Sequence, residues 1–275
     1  MNPYGQKRRF AVAPCQQIEQ GGAMRIEELK VIVTGGASGM GRTFSLELAA
    51  AGAQVVAADV NTEALTEITK ASDGAVFGVE CNVADEASVA SLFEVAYKHM
   101  GSVNGLINNA GIIRDGLLIK KDRETGEISN LSMKKWQQVI DVNLTGPFLC
   151  AREFATLAAR HEVGPACMIN ISSISRKGNV GQTNYSAAKA GLVAMTKLWS
   201  QELSRYGIRT GAIAPGPVDT PILLQMPEKA RAGLSRMVPL GRFADPKEVY
   251  AAVEFIFEND FFTGRCLELD GGMNI

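Results

Sequence analysis

Short apolar runs alternate with longer amphipathic stretches along the chain from residue 24 onward. The apolar runs are four or five residues long, which is typical of buried strands, and they occupy positions 29–33, 54–58, 75–79, 105–108, 167–171, 210–214 and 266–269. The stretches between them are long enough for helices. This alternation predicts the α/β class, and we expect a single Rossmann-type, doubly wound parallel sheet flanked by helices.

The start of one helix is marked with particular clarity. Asp245 can serve as its N-cap, Pro246 occupies the first helical position and Glu248 stands three residues after the cap. These residues form a capping-box signature, in which each end of the motif satisfies a backbone N–H of the other. We therefore predict a helix that begins at Pro246.

Residues 1–23 do not follow the alternation. They combine three consecutive basic residues with a short apolar piece, two prolines and several glutamines. The apolar piece is too short for a secretory signal, and the segment lacks the serines and the uninterrupted amphipathic helix of a transit peptide. We interpret 1–23 as a flexible extension, compatible with a true start at Met24, and 24–275 as a single domain.

Composition excludes several classes of function. Hydrophobic residues make up 46% and charged residues 21% of the 275 residues, which is typical of a folded globule, and the net charge of −1 argues against a nucleic-acid partner. No segment approaches the roughly 18 consecutive apolar residues of a membrane span. Five scattered cysteines and two histidines indicate neither a disulfide framework nor a metal site, and they favour a cytoplasmic protein.

A glycine-rich motif follows the first predicted strand. Gly35, Gly39 and Gly41 give the pattern T-G-x-x-x-G-x-G at the turn into a helix. Glycines allow backbone N–H groups to approach a pyrophosphate closely, and the positive end of the helix stabilises the anion. Asp59 ends the next strand, where a carboxylate can accept a hydrogen bond from a ribose hydroxyl. The segment therefore predicts a dinucleotide site.

The same aspartate bears on the choice of cofactor. The 2′-phosphate of NADP would bring about 1.5–2 negative charges next to Asp59. Ala37 and Ser38 in the loop, and Val60 and Asn61 after the acid, provide no compensating cation. We therefore expect NAD.

Tyr185 and Lys189 form a second motif, Y-x-x-x-K, which places a phenol and an ammonium group on one face of a helix. A lysine about 4 Å away would lower the pKa of the phenol from about 10 towards 7. That is the range in which a general base works best. The motif by itself is common, so its meaning depends on its neighbours.

Further motifs accompany it in a defined order. They are N-N-A-G at 108–111, Asn143 in V-N-L-T-G, Asn170 in N-I-S-S, and P-G at 215–216. Together with the glycine and Y-x-x-x-K motifs they cover nearly all of 27–275. In these residues the chain resembles the short-chain dehydrogenase/reductase family.

The resemblance implies a role for each matching residue. Tyr185 would exchange a proton with the substrate, and Lys189 would lower its pKa and hold the nicotinamide ribose. A serine at the end of a strand would donate to the substrate oxygen, and Asn143 would hold a water in the proton relay, although a purely structural role for Asn143 and Asn108 is an equal alternative. Cofactor contacts would come from Gly35, Ser38, Gly39, Met40, Asp59, Asn82, Val83, Asn109, Tyr185, Lys189, Pro215, Gly216, Val218 and Thr220.

Two adjacent serines compete for the catalytic position. The family's usual spacing to Tyr185 selects Ser172, whereas its usual register after Asn170 selects Ser173. Loops absorb deletions more readily than strands do. We therefore choose Ser173.

The resemblance extends to 3-oxoacyl-(acyl carrier protein) reductases and to 3-hydroxyacyl and hydroxysteroid dehydrogenases. We expect an oxidoreductase that transfers a hydride between NAD and a secondary alcohol or ketone, with a 3-hydroxyacyl or 3-oxoacyl thioester or a similar apolar compound as substrate. The alternative is a catalytically silent dinucleotide-binding protein that acts as a redox sensor or scaffold. A sensor would have no need of Ser173, Tyr185 and Lys189 together.

Two expectations concern the surface. The helical segments 134–160 and 186–205 carry more apolar positions than one core-facing stripe needs, and relatives pair these helices across a two-fold axis. We therefore expect a homotetramer, with a dimer as the alternative. The charged segment 119–131 predicts a hairpin-like insertion, which either borders the mouth of the active site or is a solvated excursion without function.

Overall fold

The computed structural model describes residues 24–224 and 226–273. Seven strands form one sheet in the order β3-β2-β1-β4-β7-β8-β9, and every pairing within it is parallel. A separate antiparallel pair is formed by β5 and β6. In chain order the strands are β1 Lys30–Thr34, β2 Gln54–Asp59, β3 Val76–Glu80, β4 Gly105–Asn108, β5 Ile119–Lys121, β6 Ile128–Asn130, β7 Ala166–Ile171, β8 Ile208–Pro215 and β9 Arg265–Leu269.

Helices connect the strands and cover both faces of the sheet. They are α1 Gly39–Ala50, α2 Thr62–Ala71, α3 Glu86–Met100, α4 Met133–Ile140, α5 Gly146–Arg160, α6 Thr183–Glu202, α7 Pro221–Leu224, α8 Glu228–Met237 and α9 Pro246–Glu258. A π-helical turn joins α4 to α5, and short 3₁₀ turns lie at Ile26–Glu28, Ile174–Lys177 and Ser204–Tyr206. None of the helices described is both long and apolar enough to cross a bilayer.

The central strand β1 shows how the sheet is held between two helical layers. Val31 and Val33 point to one side and pack in the same core as Phe44 of α1, whereas Ile32 points to the other side and packs in the same core as Phe154 of α5. All five side chains are fully buried. Burial of each aliphatic side chain stabilises the fold by about 1.5–3 kcal/mol. The doubly wound α/β prediction is confirmed.

The predicted elements agree closely with the observed ones. All seven predicted strands are present, with bounds that differ by at most two residues. The capping box is also confirmed, because the Lys247 N–H donates to Asp245 Oδ1 and the Asp245 N–H donates to Glu248 Oε2, both at 2.8 Å. The interpretation of 1–23 concerns residues outside those that the structure describes.

The segment 134–160 departs from the prediction of one long helix. The π-helical turn Asp141–Thr145 interrupts it and carries the buried Asn143. Several of the apolar residues behind the expectation of a partner surface lie in the chain's own core: Val139, Phe154 and Leu192 are fully buried. The large apolar side chains that stay exposed on α5 and α6 include Phe148, at 44%, and Leu198, at 51%. The surface available for self-association is thus smaller than the sequence suggested.

The charged segment 119–131 forms the predicted hairpin. Its turn is held by Asp122, whose Oδ1 accepts from the N–H groups of Glu124 and Thr125 at 2.9 Å each. These hydrogen bonds lower the pKa of the Asp122 carboxyl. All six residues of β5 and β6 are exposed, so little packing supports the hairpin beyond its base.

Candidate active site

A cleft of about 440 Å³ opens at the carboxyl ends of the central strands. β1 and β4 are neighbours in the sheet, but the chain leaves them in opposite directions across it, towards β2 and β3 on one side and towards β7 and β8 on the other. Crevices at such a switch point are where open α/β sheets bind their ligands. One wall of the cleft is the turn between β1 and α1, and the other includes the start of α6.

The glycine turn can accept a phosphate group. Gly35 and Gly39 have φ angles of 60° and 51°, which favour glycine, and a Cβ on Gly41 would lie 2.0 Å from the Gly35 carbonyl oxygen. α1 begins at Gly39 without a side-chain cap on its N-terminus, and Ser38, Gly39 and Met40 line the cleft. The first N–H groups of α1 are therefore open to an anion. These features fit a dinucleotide pyrophosphate.

Asn109 holds this turn in place. Its Nδ2 donates to the carbonyl oxygens of Thr34 at 3.0 Å and Gly35 at 3.1 Å. In return, Thr34 Oγ1 accepts from the N–H groups of Asn109 and Ala110 at 3.0 and 3.1 Å. The structure thus places Asn109 at the cleft, with its amide hydrogens directed to the turn.

Asp59 ends β2 beside the same turn. Its two carboxylate oxygens accept from the N–H groups of Ala37 at 3.3 Å and Asn61 at 3.1 Å. Among the residues that the structure describes, no lysine or arginine forms an ion pair with it. Asn82 and Val83 follow β3; Asn82 Oδ1 accepts from the Ala84 N–H at 3.1 Å, and Val83 is buried. Asp59, Asn82 and Val83 do not line the central cleft.

Tyr185 and Lys189 both face the cleft from α6. Lys189 is 3% exposed, its Nζ lies 5.6 Å from the centre of the Tyr185 ring, and it donates to the Ile171 carbonyl at 2.7 Å. Burial lowers the pKa of Lys189 to about 8. The helix therefore brings the two predicted side chains together at the end of β7.

The two candidate serines occupy different environments. Ser172 is 3% exposed, and its Oγ donates to the main-chain oxygen of Lys189 at 2.8 Å. The Ser173 side chain instead lies close enough to the Tyr185 phenol to lower its pKa, and its Oγ accepts from the Ser175 N–H at 3.1 Å. The geometry brings Ser173, rather than Ser172, to the phenol.

Asn143 reaches the site only indirectly. It is fully buried in the π turn, where Oδ1 accepts from the Ile112 N–H at 2.8 Å and Nδ2 donates to the Ile112 oxygen at 3.0 Å. Asn108 donates to Asn170 at 2.9 Å, and Asn170 donates to Thr196 at 2.8 Å. These amides tie the elements beneath the cleft together.

The turn after β8 completes the wall near the glycines. Pro215 is the last residue of the strand, and the Gly216 N–H donates to the Leu269 carbonyl at 2.8 Å. Gly216, Val218 and Thr220 line the cleft, whereas Pro215 does not. A Cβ on Gly39 would stand 3.9 Å from the Thr220 side chain, so the two turns face each other across a narrow gap.

Comparison with known proteins places this arrangement in a family. A family model described as enoyl-(acyl carrier protein) reductase matches residues 35–274. The chain is 37% identical over 258 residues to a 3-oxoacyl-(acyl-carrier-protein) reductase of Thermotoga maritima, covering 92% of this chain and all of that protein. The chain belongs to the short-chain dehydrogenase/reductase family.

Other members of the family are nearly as similar. A (3R)-3-hydroxyacyl-CoA dehydrogenase of Mus musculus is 35% identical over 266 residues, covering 91% of this chain and 98% of that protein. A 3-oxoacyl-(acyl-carrier-protein) reductase of Synechocystis is 36% identical over 251 residues, with 88% and 95% covered. The chain is accordingly an oxidoreductase of the short-chain dehydrogenase type that uses a nicotinamide cofactor. The comparisons give no support to a silent redox sensor.

The electrostatics of this short-chain dehydrogenase differ from the expectation at one point. Burial raises the pKa of Tyr185, its hydrogen bond with Ser173 lowers it, and the charge of Asp115 raises it. The net direction is upward, because burial outweighs the hydrogen bond. The prediction that Lys189 brings this pKa towards 7 was wrong for the structure described, because burial of the phenol dominates and Lys189 is not among the groups that shift it.

Sequence reasoning missed most residues on the other side of the cleft. Asn179 and Gln182 line it with their amides, and Ile113, Ile174, Leu234 and Met273 line it with apolar side chains. Gln182 stands three residues before Tyr185, which is a usable signal for a shared helix face. The apolar residues come from four separate segments, so no local pattern connects them.

Proposed function

We propose that this enzyme interconverts 3-hydroxyacyl and 3-oxoacyl thioesters with NAD as its cofactor. The observation that carries the proposal is the convergence of Ser173, Tyr185 and Lys189 on one wall of a cleft whose opposite wall is an open phosphate-binding turn. The names of the most similar relatives, which act on 3-oxoacyl and 3-hydroxyacyl groups, support the substrate class.

The cofactor, when bound, supplies or accepts the hydride. On this proposal the amides of the turn from Gly35 to Met40 would hold its pyrophosphate, Asp59 would accept from the adenosine ribose, and Asn82 and Val83 would contact the adenine. Lys189 would donate to the nicotinamide ribose. The segment from Pro215 to Thr220 would contact the nicotinamide, while Asn109 keeps the glycine turn in shape. The preference for NAD is supported by the carboxylate of Asp59, which forms no ion pair with the lysines and arginines that the structure describes and would repel a 2′-phosphate.

Tyr185 is the proposed proton carrier. In the reducing direction its hydroxyl gives a proton to the ketone oxygen, while the Ser173 hydroxyl donates a hydrogen bond to the same oxygen as negative charge develops there. Because burial raises the pKa of Tyr185, the phenol holds its proton at neutral pH and suits this direction. Alcohol oxidation needs the phenolate, so its rate is expected to rise as the pH rises. Asn143 supports the relay by fixing the loop at Ile112.

The substrate side of the cleft suits an acyl chain. Ile174 and Met273 pack with Val238 and Leu234 in a small apolar cluster at this end. Burial of an alkyl group against these side chains would stabilise the complex by about 25 cal/mol per Å² of apolar surface removed from water. This apolar surface supports an acyl substrate over a small polar alcohol.

We also propose a homotetramer, with a dimer as the alternative. Phe148 and Leu198 expose apolar surface on α5 and α6, and β9 is an edge strand whose outer side is free for pairing in the sheet described. Closed two-fold pairing of such patches is the commonest form of self-association. Light scattering at micromolar concentration tests this: a mass near one chain contradicts self-association, and a mass near two chains leaves only the dimer.

Two further assignments are part of the proposal. Residues 24–275 form a single catalytic domain, which is supported by one continuous seven-stranded sheet. A cytoplasmic location is supported by the free thiols of Cys81, Cys150, Cys167 and Cys266.

The substrate class is tested directly by following NADH absorbance with 3-oxobutyryl-CoA, and with a steroid ketone and a simple secondary alcohol as comparisons. We expect the thioester to have the highest kcat/KM and NADH to be preferred over NADPH. A steroid preferred by tenfold or more would contradict the proposed substrate class. An equal or reversed ratio for the two cofactors would contradict the assignment of NAD.

A further inference from the structure

A strip of polar side chains crosses the substrate side of the cleft and is not needed for cofactor binding or for proton transfer. Gln182 Nε2 donates to the two carboxylate oxygens of Asp115 at 3.1 and 3.3 Å. Gln182 Oε1 accepts from Asn179 Nδ2 at 3.1 Å. Gln182 and Asn179 line the cleft, whereas Asp115 stands behind them. The strip therefore connects a carboxylate to two amides that a substrate can touch.

Asp115 is held firmly against Gln182. The Gly116 N–H donates to the Gly181 carbonyl at 2.8 Å, and Gly116 and Gln182 form an isolated β-bridge. Lys135 Nζ donates to the main-chain oxygen of Asp115 at 2.9 Å. The loop after β4 is thus tied to the residues just before α6, and the carboxylate has a defined place.

This contact decides which way the Gln182 amide faces. The two ends of a glutamine amide differ only in being a donor or an acceptor, so neighbouring groups select the orientation. Asp115 is acceptor-only and Asn179 offers a donor, and together they set Nε2 towards Asp115 and Oε1 towards Asn179. One amide hydrogen directed between the two carboxylate oxygens satisfies both distances. The second hydrogen is then available to a carbonyl oxygen in the cleft.

The charges around the cleft also favour a neutral substrate over a carboxylate. Among the cleft-lining residues described, the charged side chain is Lys189, and its ammonium is already paired with the Ile171 carbonyl. A free carboxylate on the substrate would lie near the negative charge of Asp115, which the ammonium of Lys135, bound to the Asp115 main-chain oxygen, offsets in part. A neutral thioester or ester carbonyl would meet a hydrogen-bond donor instead.

We propose that Asp115 is a specificity-determining residue, which acts through Gln182 to make the cleft select neutral 3-oxoacyl groups over free 3-oxo acids. This inference rests on the proposed function, because it concerns the second oxygen of the same substrate. Asp115 positions the amide rather than taking part in the chemistry. The specificity should therefore appear in KM, while any change in kcat through the pKa of Tyr185 should be shared by both substrates.

The test compares two 3-oxo substrates, the neutral ester ethyl acetoacetate and the anion acetoacetate, each reduced with NADH by the full chain; the added ethyl group is the same for every variant, so a change in their ratio reports the charge. We expect the wild type to prefer the ester. Asp115→Asn keeps an oxygen that can accept from Gln182 but removes the charge, so it should raise the kcat/KM of acetoacetate relative to the ester by about three- to tenfold. The exposure of Asp115 and the nearby ammonium of Lys135 keep this effect to about one order of magnitude.

Two further variants separate specificity from structure. Asp115→Glu retains the charge and is expected to restore the wild-type ratio, whereas Glu124→Gln removes an exposed carboxylate of the hairpin turn and should leave the ratio unchanged. The role of Asp115 is contradicted if Asp115→Asn leaves the ratio unchanged, if it slows both substrates equally, or if Glu124→Gln shifts the ratio by the same amount. It is also contradicted if the wild type shows no preference for the ester. A wild type that reduces neither these compounds nor 3-oxobutyryl-CoA contradicts the proposed function itself.

Discussion

The two walls of the cleft are built in different ways. The cofactor wall centres on one continuous segment, residues 34–41, whose shape depends on backbone angles and on closely packed glycines. The substrate wall gathers side chains from distant segments, among them Ile113, Gln182, Leu234 and Met273. α7 has four residues, and α8 has no buried residue on its ten-residue length. The first wall is therefore specified by the main chain, and the second by side chains that can be exchanged.

The difference has a functional consequence. A pyrophosphate is the same in every reaction of the enzyme, so a rigid backbone cradle serves it well. Substrates differ in their chains and charges, and a wall of side chains on short, weakly packed helices can change without disturbing the sheet. Mutations on the cofactor wall should therefore impair cofactor binding, whereas mutations on the substrate wall should change substrate preference.

The largest effect is expected at Tyr185, the proposed proton carrier. Tyr185→Phe removes the transferred proton but leaves the glycine turn intact. We expect kcat to fall by about 10²–10⁴-fold while NADH binding, followed by fluorescence titration, stays within twofold. Tyr206→Phe, on an exposed tyrosine, is the matched control. Turnover above about a tenth of the wild type would contradict the assigned role.

The next effect separates the two serines. Ser173→Ala removes the hydroxyl that contacts Tyr185, and we expect kcat to fall by about 10²–10³-fold. Ser172→Ala loses a buried hydrogen bond to the Lys189 carbonyl, which should lower the free energy of unfolding by about 1 kcal/mol. Steady-state kinetics and urea denaturation of both variants distinguish these outcomes. A larger loss of kcat in Ser172→Ala would reverse the assignment.

A smaller effect tests the backbone character of the cofactor wall. A Cβ on Gly41 would lie 2.0 Å from the Gly35 oxygen, so Gly41→Ala must displace the turn. Such overpacking costs about 1–3 kcal/mol, and we expect NADH to bind about tenfold more weakly. Gly233 lies on α8 with no atom within 4 Å of an added Cβ, which makes Gly233→Ala a control that should bind NADH normally. Equal binding by both variants would show that the turn tolerates side chains.

The smallest effect concerns the discrimination between NAD and NADP by Asp59, at the edge of the cofactor wall. Asp59→Ala removes the charge that repels a 2′-phosphate. The variant should lower the ratio of kcat/KM for NAD to kcat/KM for NADP by about three- to tenfold. The comparison variant is Glu67→Ala, on the exposed side of α2, which should leave the ratio as it is in the wild type. An unchanged ratio in Asp59→Ala would remove the electrostatic basis for the cofactor preference.

Much of the fold could be predicted from the sequence because its signals are local. Each buried strand appears as an apolar run, and the capping box at Asp245 needs only four consecutive residues. The glycine turn and the Tyr185–Lys189 pair are equally short-range, since a turn or one helical repeat contains them. The interruption between α4 and α5 had no such signal, because the π turn depends on Asn143 reaching the main chain of Ile112, 31 residues earlier.

The electrostatics of the site depended on tertiary packing as well. Spacing places Tyr185 and Lys189 on one helix face, but it does not say that the lysine meets the Ile171 carbonyl or that burial raises the pKa of the phenol. Likewise, two adjacent serines look alike in the sequence, and the direction of each side chain follows from how β7 packs against α6.

The sequence by itself thus determined the order of strands and helices along the chain, the glycine turn after β1 and the placement of Tyr185 and Lys189 on one helix face, because each rests on neighbours within one turn or one strand. Only the tertiary structure decided which serine meets Tyr185, where the substrate wall comes from and how Asp115 reaches Gln182, 67 residues away. Those contacts join segments that are remote in the chain, and their geometry is set by the packing of the whole sheet.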